Sequence, residues 1–360
     1  MMKAVVRRGT ELVSTDLANP TPGEGQVLVK TLVCGICGSD LHALHHLDHM
    51  VDMTLKAGGA NTINPKGDIV FGHEFCAELL DYGPGCENRM KPGTRVVSVP
   101  TAIGPQGAEL VGYSNRFPGG FGEQMVLQEA LLLEVPNGLS AEAAALVEPM
   151  SVGEHAVAEA GVTSQSVALV IGCGPVGLSV IAALKARGVG PVIATDLSPE
   201  RRAAAEKMGA DIVLDPREHS PHDRWEGFDI PATMASFSTA KLLGRSIRDA
   251  VIFECVGVPG MLQNLIQNVP PTATIVIVGV CMESDVIEPS LAINKQLNLK
   301  FVFAYTPDEF AATLHAIAHG ERAFEPLLSG VVGRSGVADA FKRLGSGGDC
   351  IKLLVNPSSE

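Results

Sequence analysis

The sequence predicts an α/β protein of two domains, a β-rich domain and a doubly wound parallel sheet of six strands. Three observations lead there. The chain has 360 residues, and one hydrophobic core usually organises roughly 100–200. Its first part carries short apolar runs separated by Pro/Gly turns, and from about Ser140 onward apolar runs alternate with helical stretches.

In chain order, residues 3–6, 26–33, 75–80 and 95–99 read as strands, divided by turns such as PTPGEG at 20–25 and KPG at 91–93. Short strands at this spacing predict a compact barrel or sandwich. Residues 141–160 are Ala- and Glu-rich and helical. A strand at 167–171, a helix at 175–187, a strand at 191–195 and a helix at 200–208 follow. Four more strands are expected at 211–214, 251–254, 274–278 and 300–304. Such alternation buries a parallel sheet between two helical layers. Two stretches depart from the pattern: residues 44–69, rich in His and Gly, and residues 217–248, long for a connection between strands.

Composition narrows the function. Net charge is −13 and no dense Lys/Arg stripe offsets it, so a phosphate backbone is repelled and nucleic acid is excluded as a partner. Only 4% of residues are aromatic, with Trp225 the sole tryptophan. Residues 167–184 are uncharged for 18 positions, the length of a membrane span, but GCGP at 172–175 interrupts them. A buried strand, turn and helix account for them, so no membrane partner is expected. The eight cysteines accompany no secretion signal, and reduced thiols in the cytoplasm are expected.

GCGPVG at 172–177 follows a strand and opens a helix, and Asp196 closes the next strand 19 residues past Gly177. Gly172 permits a tight turn, Gly174 admits a pyrophosphate against the backbone, and Gly177 lets helix and sheet pack closely. Pro175 and Val176 carry the helix N-terminus, whose free N–H groups favour an anion. A carboxylate at 196 bonds both ribose hydroxyls and repels a 2′-phosphate, which favours NAD over NADP. Arg201, five residues on, has a guanidinium able to pair with a 2′-phosphate, but the preferred reading is a first-turn helix residue flanking the adenine.

Cys37 lies on a Gly-bounded turn after a strand, His73 and Glu74 precede another strand, and Glu148 begins EPMSVGEHA near the domain junction. Thiolate, imidazole and carboxylate suit an open zinc site with a position left for water or substrate, although no spacing among them is diagnostic alone. The chemistry strengthens the case. A histidine base near ~6.5 faces about nine pKa units when it deprotonates an alcohol, or about 12 kcal/mol. A metal lowers bound water from about 15.7 to about 7.

Taken together, GICGSDLH, GHE, KPGTRVV, GGFGEQ, EPMSVGEHA, GCGPVG, ATDLSPER, ECVG and IKLLVNP resemble the zinc-containing medium-chain dehydrogenase/reductase family, especially its polyol (sorbitol) and secondary-alcohol branch. The resemblance runs over nearly the whole chain. It implies a GroES-like catalytic domain at 1–149 and 305–360 and a Rossmann domain at 150–304. It implies one catalytic Zn2+ per chain on Cys37, His73 and a carboxylate, Glu148 or Glu74. Ser39 would bond the substrate hydroxyl and His42 would pass its proton to solvent. Val256, Val278 and Phe303 would line the nicotinamide end. The implied reaction moves a hydride between an alcohol and NAD in a homodimer or homotetramer paired through the last sheet strand. A zinc-free quinone or enone reductase and a non-catalytic nucleotide-binding protein are the alternatives.

Two departures stand out. The family's second zinc needs four cysteines, expected here near 95–120, and that span holds none. The 36-residue gap from Cys37 to His73 is long, so 44–69 reads as an insertion near the substrate entrance. Cys34 is expected to pack rather than react, and Cys255 and Cys281 to be small core residues. His42, His45, His46 and His49 recur at helical spacing and read as a solvated helix face or pocket rim rather than a second metal site.

Overall fold

A computed structural model describes residues 1–60, 62–136, 138–347 and 350–360. The chain forms two compact units. One comprises Met1–Pro149, Phe310–Gly320 and Leu328–Glu360; the other comprises Met150–Glu309 and Glu321–Leu327.

The first unit is built on a seven-stranded mixed sheet. Its path runs Leu328–Val332, Lys352–Val355, Gln26–Gly35, Glu74–Tyr82, Arg95–Ser98 and Leu132–Glu134, with Gln124–Gln128 also pairing to Gln26–Gly35. Gln26–Gly35 is its hub. In register, Gly35 faces Glu74 on one neighbour and Leu354 on the other. The ends of three distant strands therefore meet at one point. Val29, Leu79, Phe71, Phe121, Leu127 and Phe341 fill the core behind them, each 4% exposed or less. Each such side chain contributes about 1.5–3 kcal/mol on burial.

A 19-residue helix, Gly38–Lys56, leaves the hub strand directly. Asp40 caps it by accepting the Cys37 N–H at 3.0 Å. Asp40, Ala43 and Leu47 are buried on one face, while His42, His45, His46 and His49 are exposed, as a solvated face requires. Residues 44–56 of the expected insertion extend this helix, which kinks at His46, and Ile69 bridges to Arg7. Position 61 lies outside the described residues.

The second unit carries the six-stranded parallel sheet that the alternation predicted. Its spatial order is Ile212–Leu214, Val192–Thr195, Ser166–Ile171, Asp249–Glu254, Thr274–Ile277 and Asn298–Phe301. The first strand in sequence is thus central and the order reverses beside it, as in doubly wound sheets. One expectation is corrected. The last strand is Asn298–Phe301, not 300–304, because its register starts at Thr274↔Asn298 and Ala304 takes a φ of 58° that ends extended backbone. Residues 141–160 form two helices, Ala141–Ala145 and Val147–Ala160, the former capped by the Ser140 hydroxyl. The 217–248 stretch supplies a 3-10 turn, Pro221–Phe228, and a helix, Met234–Leu242. Trp225 from that turn plugs the core at 1% exposure. Among the described residues, no helix is long and apolar enough to cross a membrane.

Candidate active site

Cys37, His73 and Glu74 converge at the end of the hub strand, with one ligand atom from each lying within 4.8 Å of the others. The local sequence explains the convergence. Cys37 is the N-cap of the Gly38–Lys56 helix, two residues past the strand that pairs with Glu74. Gly72, at a φ of 102°, turns the chain so that His73 enters the same point. His73 and Glu74 are buried, and Cys37 is partly exposed. The centre is closed behind and open on the thiol side.

Its surroundings fit a cation. Burial alone would push the His73 imidazole down, but Cys37, Asp40 and Glu148 together raise it well above its ordinary value. His73 Nδ1 is buried without a hydrogen bond, and Asp40 Oδ1, at 3.7 Å, is too far to provide one. A thiol, an imidazole and a carboxylate brought within 4.8 Å of one another are a donor set that a divalent metal would satisfy.

Glu148 lies outside the tight group, at the start of the Val147–Ala160 helix, but its charge reaches both His73 and Lys352. Glu74 is already engaged. The buried Lys352 ammonium donates to its two carboxylate oxygens at 2.6 and 2.7 Å and to the Ile36 carbonyl at 2.9 Å. All three ammonium protons are thereby placed. Burial works against the Lys352 charge, yet Glu74 and Cys37 raise its pKa overall. Gly35 makes room for this pair, since a Cβ there would stand 2.0 Å from Glu74 Oε2.

Ser39 and His42 follow on the same helix. Ser39 is half-buried and hydrogen-bonded to the Tyr113 hydroxyl at 3.0 Å; the same hydroxyl donates to Asp40 Oδ1 at 2.9 Å. His42 is solvent-exposed, and partial burial together with His46 lowers its pKa.

In the second unit, the Gly172–Gly177 turn stands between the strand Ser166–Ile171 and the helix Pro175–Ala186. Gly172 has a φ of 89°, and a Cβ on Gly177 would lie 1.8 Å from the Gly172 carbonyl oxygen. The space at Gly174 is open, with only Arg201 Nη1 at 3.9 Å from the position of a Cβ. Pro175 and Val176 begin the helix, whose N-terminus no side chain caps. Open backbone at an uncapped helix end fits a pyrophosphate. Asp196 accepts the N–H groups of Cys173 at 2.7 Å and Ser198 at 2.8 Å, which fixes its carboxylate below the turn. Val256 and Val278 follow the ends of adjacent strands. Glu254 joins their loops by accepting the N–H groups of Val256 and Gly257 on its carboxylate and those of Val278 and Gly279 on its carbonyl. Phe303 lies past the last strand and is 87% exposed.

The sequence reading missed Asp40, Tyr113, Lys352 and Glu254. Asp40 had a signal, an acid three residues after a capping position. Lys352 had another, a lone charge inside the apolar run IKLLV, since an unpaired lysine is almost never fully buried. Among the thiols, burial drives Cys34 well above the ordinary value and Cys173 up to about 12, the behaviour of packing residues, whereas Cys255, expected in the core, stays partly exposed just past the strand Asp249–Glu254. Cys281 is not a core residue, because it sits half-exposed in a loop beyond the strand Thr274–Ile277.

Comparison with known proteins agrees with this geometry. The alcohol dehydrogenase GroES-like domain family matches residues 23–137, and the zinc-binding dehydrogenase family matches residues 175–319. A (R,R)-butanediol dehydrogenase of Bacillus subtilis is 33% identical over 351 residues, spanning 95% of both chains. The sorbitol dehydrogenase of Bos taurus is 30% identical over 79% of this chain and 77% of its own. The crystal structure of 2R,3R-butanediol dehydrogenase from Bacillus subtilis superposes with a TM-score of 0.79 at 30% identity, over 99% of this chain and 100% of that one. The chain belongs to the zinc-binding, medium-chain alcohol dehydrogenase/reductase family.

Proposed function

We propose that this enzyme oxidises a secondary alcohol, vicinal diol or polyol with NAD, or reduces the matching carbonyl, with one catalytic zinc per chain. The convergence of Cys37, His73 and Glu74 within 4.8 Å carries the reading, and it leaves nothing to favour a zinc-free reductase. When bound, zinc supplies a Lewis acid that acidifies a hydroxyl, and nicotinamide supplies the hydride acceptor.

The chain's own residues do the rest. Cys37 and His73 would hold the ion together with Glu148, since Lys352 retains Glu74 on the far side as a reserve ligand. Ser39 would accept the substrate hydroxyl proton, and exposed His42 would hand it to solvent. Asp196 would bond the adenosine ribose and repel a 2′-phosphate. The Arg201 guanidinium lies beside Gly174, where it suits the pyrophosphate. Val256, Val278 and Phe303 would border the nicotinamide end. Butanediol and sorbitol, the substrates in the relatives' names, both carry neighbouring hydroxyls, which supports a diol or polyol here. All eight cysteines carry free thiols, which suits a reducing cytoplasm.

The test is chelator-stripped protein, assayed before and after zinc is restored, against 2,3-butanediol, sorbitol, cyclic and primary alcohols with NAD and NADP. The expected result is loss of at least about 100-fold in turnover without metal, recovery with zinc, and preference for NAD. Unchanged turnover in the stripped protein overturns the reading.

A further inference from the structure

We infer that Tyr113 is a positioning residue for Ser39, holding the serine oxygen in one rotamer by a hydrogen bond that leaves its lone pairs free. The inference rests on the dehydrogenase reading above and deepens it.

Three features of Tyr113 support it. The residue is 5% exposed, and its ring packs against Phe71 and His73 with centroids at 5.6 and 5.5 Å, so the ring itself cannot swing. Its hydroxyl lies between Ser39 Oγ at 3.0 Å and Asp40 Oδ1 at 2.9 Å, and its one proton goes to the carboxylate. Asp40 is fully buried and tied to the Cys37 N–H at 3.0 Å, so the carboxylate that anchors Tyr113 is itself fixed.

The consequence follows from the hydroxyl inventory. Serine offers one proton and two lone pairs. A serine that relays a proton must accept from the substrate hydroxyl and donate its own proton onward. The single Tyr113 proton goes to the Asp40 carboxylate, so at rest Ser39 donates to the Tyr113 oxygen, which holds Oγ in place and leaves both of its lone pairs open to the substrate hydroxyl. When the substrate proton arrives on one lone pair, the serine's own proton turns onward by rotation about the Cβ–Oγ bond, so one proton enters and one leaves. Without Tyr113, Ser39 samples three staggered rotamers, and only one of them presents Oγ as it stands here. Ser39 and Asp40 are adjacent in sequence, so a single tyrosine orients the relay hydroxyl and also satisfies the buried acid facing His73.

A double-substitution cycle on the zinc-loaded enzyme tests this, with 2,3-butanediol and NAD. Y113F keeps the packed ring and removes only the hydroxyl. It is expected to lower kcat about 5–10-fold, with the zinc-to-chain ratio and the melting temperature measured alongside. S39A is expected to cost more. Adding Y113F to S39A should cost nothing further in kcat, because Tyr113 would have no hydroxyl left to orient. A second readout needs no turnover. 2,3-Dimethylbutane-2,3-diol has no hydrogen on its carbinol carbons, and its affinity should fall severalfold in Y113F but not change between S39A and the double variant. Losses that multiply in the double variant overturn the inference, as does a Y113F chain depleted of zinc. A crystal structure of the wild-type holoenzyme with this diol decides the question without any variant. Ser39 Oγ in one rotamer within hydrogen-bond distance of the Tyr113 hydroxyl is expected, and a serine turned away overturns the inference. A wild type that oxidises no alcohol defeats the functional reading itself, whereas an active wild type with multiplicative losses defeats only the role of Tyr113.

Discussion

Lys352 and Glu74 form an ion pair with side-chain exposures of 2% and 1%. A pair so buried contributes little as a pair, but removing one partner strands the other at a cost of about 3–5 kcal/mol. K352M should therefore melt well below the wild type in the presence of a chelator. Zinc should recover part of the loss, because an unpaired Glu74 becomes available as a ligand. Melting curves of both proteins with and without zinc measure this, and an equal zinc response in the two argues against Glu74 as a reserve ligand. G35A makes the complementary prediction from the other side. The new methyl would collide with the Glu74 carboxylate at 2.0 Å, so the pair must break although both of its members remain. G35A is expected to be destabilised by a similar amount, and a wild-type melting temperature would show that the hub strand yields there.

The strand–turn–helix at Gly172–Gly177 has one tolerance for change, and it is at Gly174. A Cβ at Gly177 meets the Gly172 carbonyl at 1.8 Å, whereas one at Gly174 meets nothing closer than 3.9 Å. G177A should thus lower both stability and NADH affinity, while G174A should fold normally and lose affinity alone, by about tenfold or more. Fluorescence titration of NADH together with thermal melting separates the two outcomes, and unchanged NADH affinity in G174A would remove the pyrophosphate from this turn. The Pro221–Phe228 turn makes a different prediction. Burial pushes His222 down to about 4, with Lys295 acting in the same direction and Asp223 partly opposing. In the unfolded chain this imidazole takes up a proton near ~6.5, so between pH 6.5 and 4 the unfolded state binds the extra proton and stability falls as pH falls. The loss amounts to about 3 kcal/mol across that window. H222N should flatten this part of the stability–pH curve, as followed by urea unfolding at several pH values. An unaltered slope would assign the acid sensitivity to other groups.

Over the whole chain, what the sequence disclosed was what lies close together in it. The Gly172 turn, its helix and Asp196 fall within 25 residues, and the apolar alternation dictates a parallel sheet whatever its exact ends. Cys37, His73 and Glu74 were legible because zinc chemistry calls for those side chains. Lys352 was not, because its bonds to Glu74 span 278 positions and only the strand register at Gly35 joins them. The same sheet logic bears on assembly. The strand Asn298–Phe301 closes one edge of the six-stranded sheet, and the only lysine in it, Lys300, is drawn back onto Glu159 of its own unit at 2.8 Å. That edge therefore lacks the charge with which monomeric proteins guard open strands. On it and just past it, Phe301 and Phe303 are 71% and 87% exposed. Apolar side chains concentrated at one unprotected edge mark an interface, and a second copy paired edge to edge would cover them with a continuous sheet. The protein is accordingly expected to sediment as a dimer or tetramer at micromolar concentration. F301D places a charge at the centre of that contact and should weaken association by about 30-fold or more, the effect of losing a buried aromatic anchor, while each chain keeps its zinc and its fold. A wild type that sediments as a monomer, or an F301D variant that assembles as tightly as the parent, would locate the interface elsewhere or remove it.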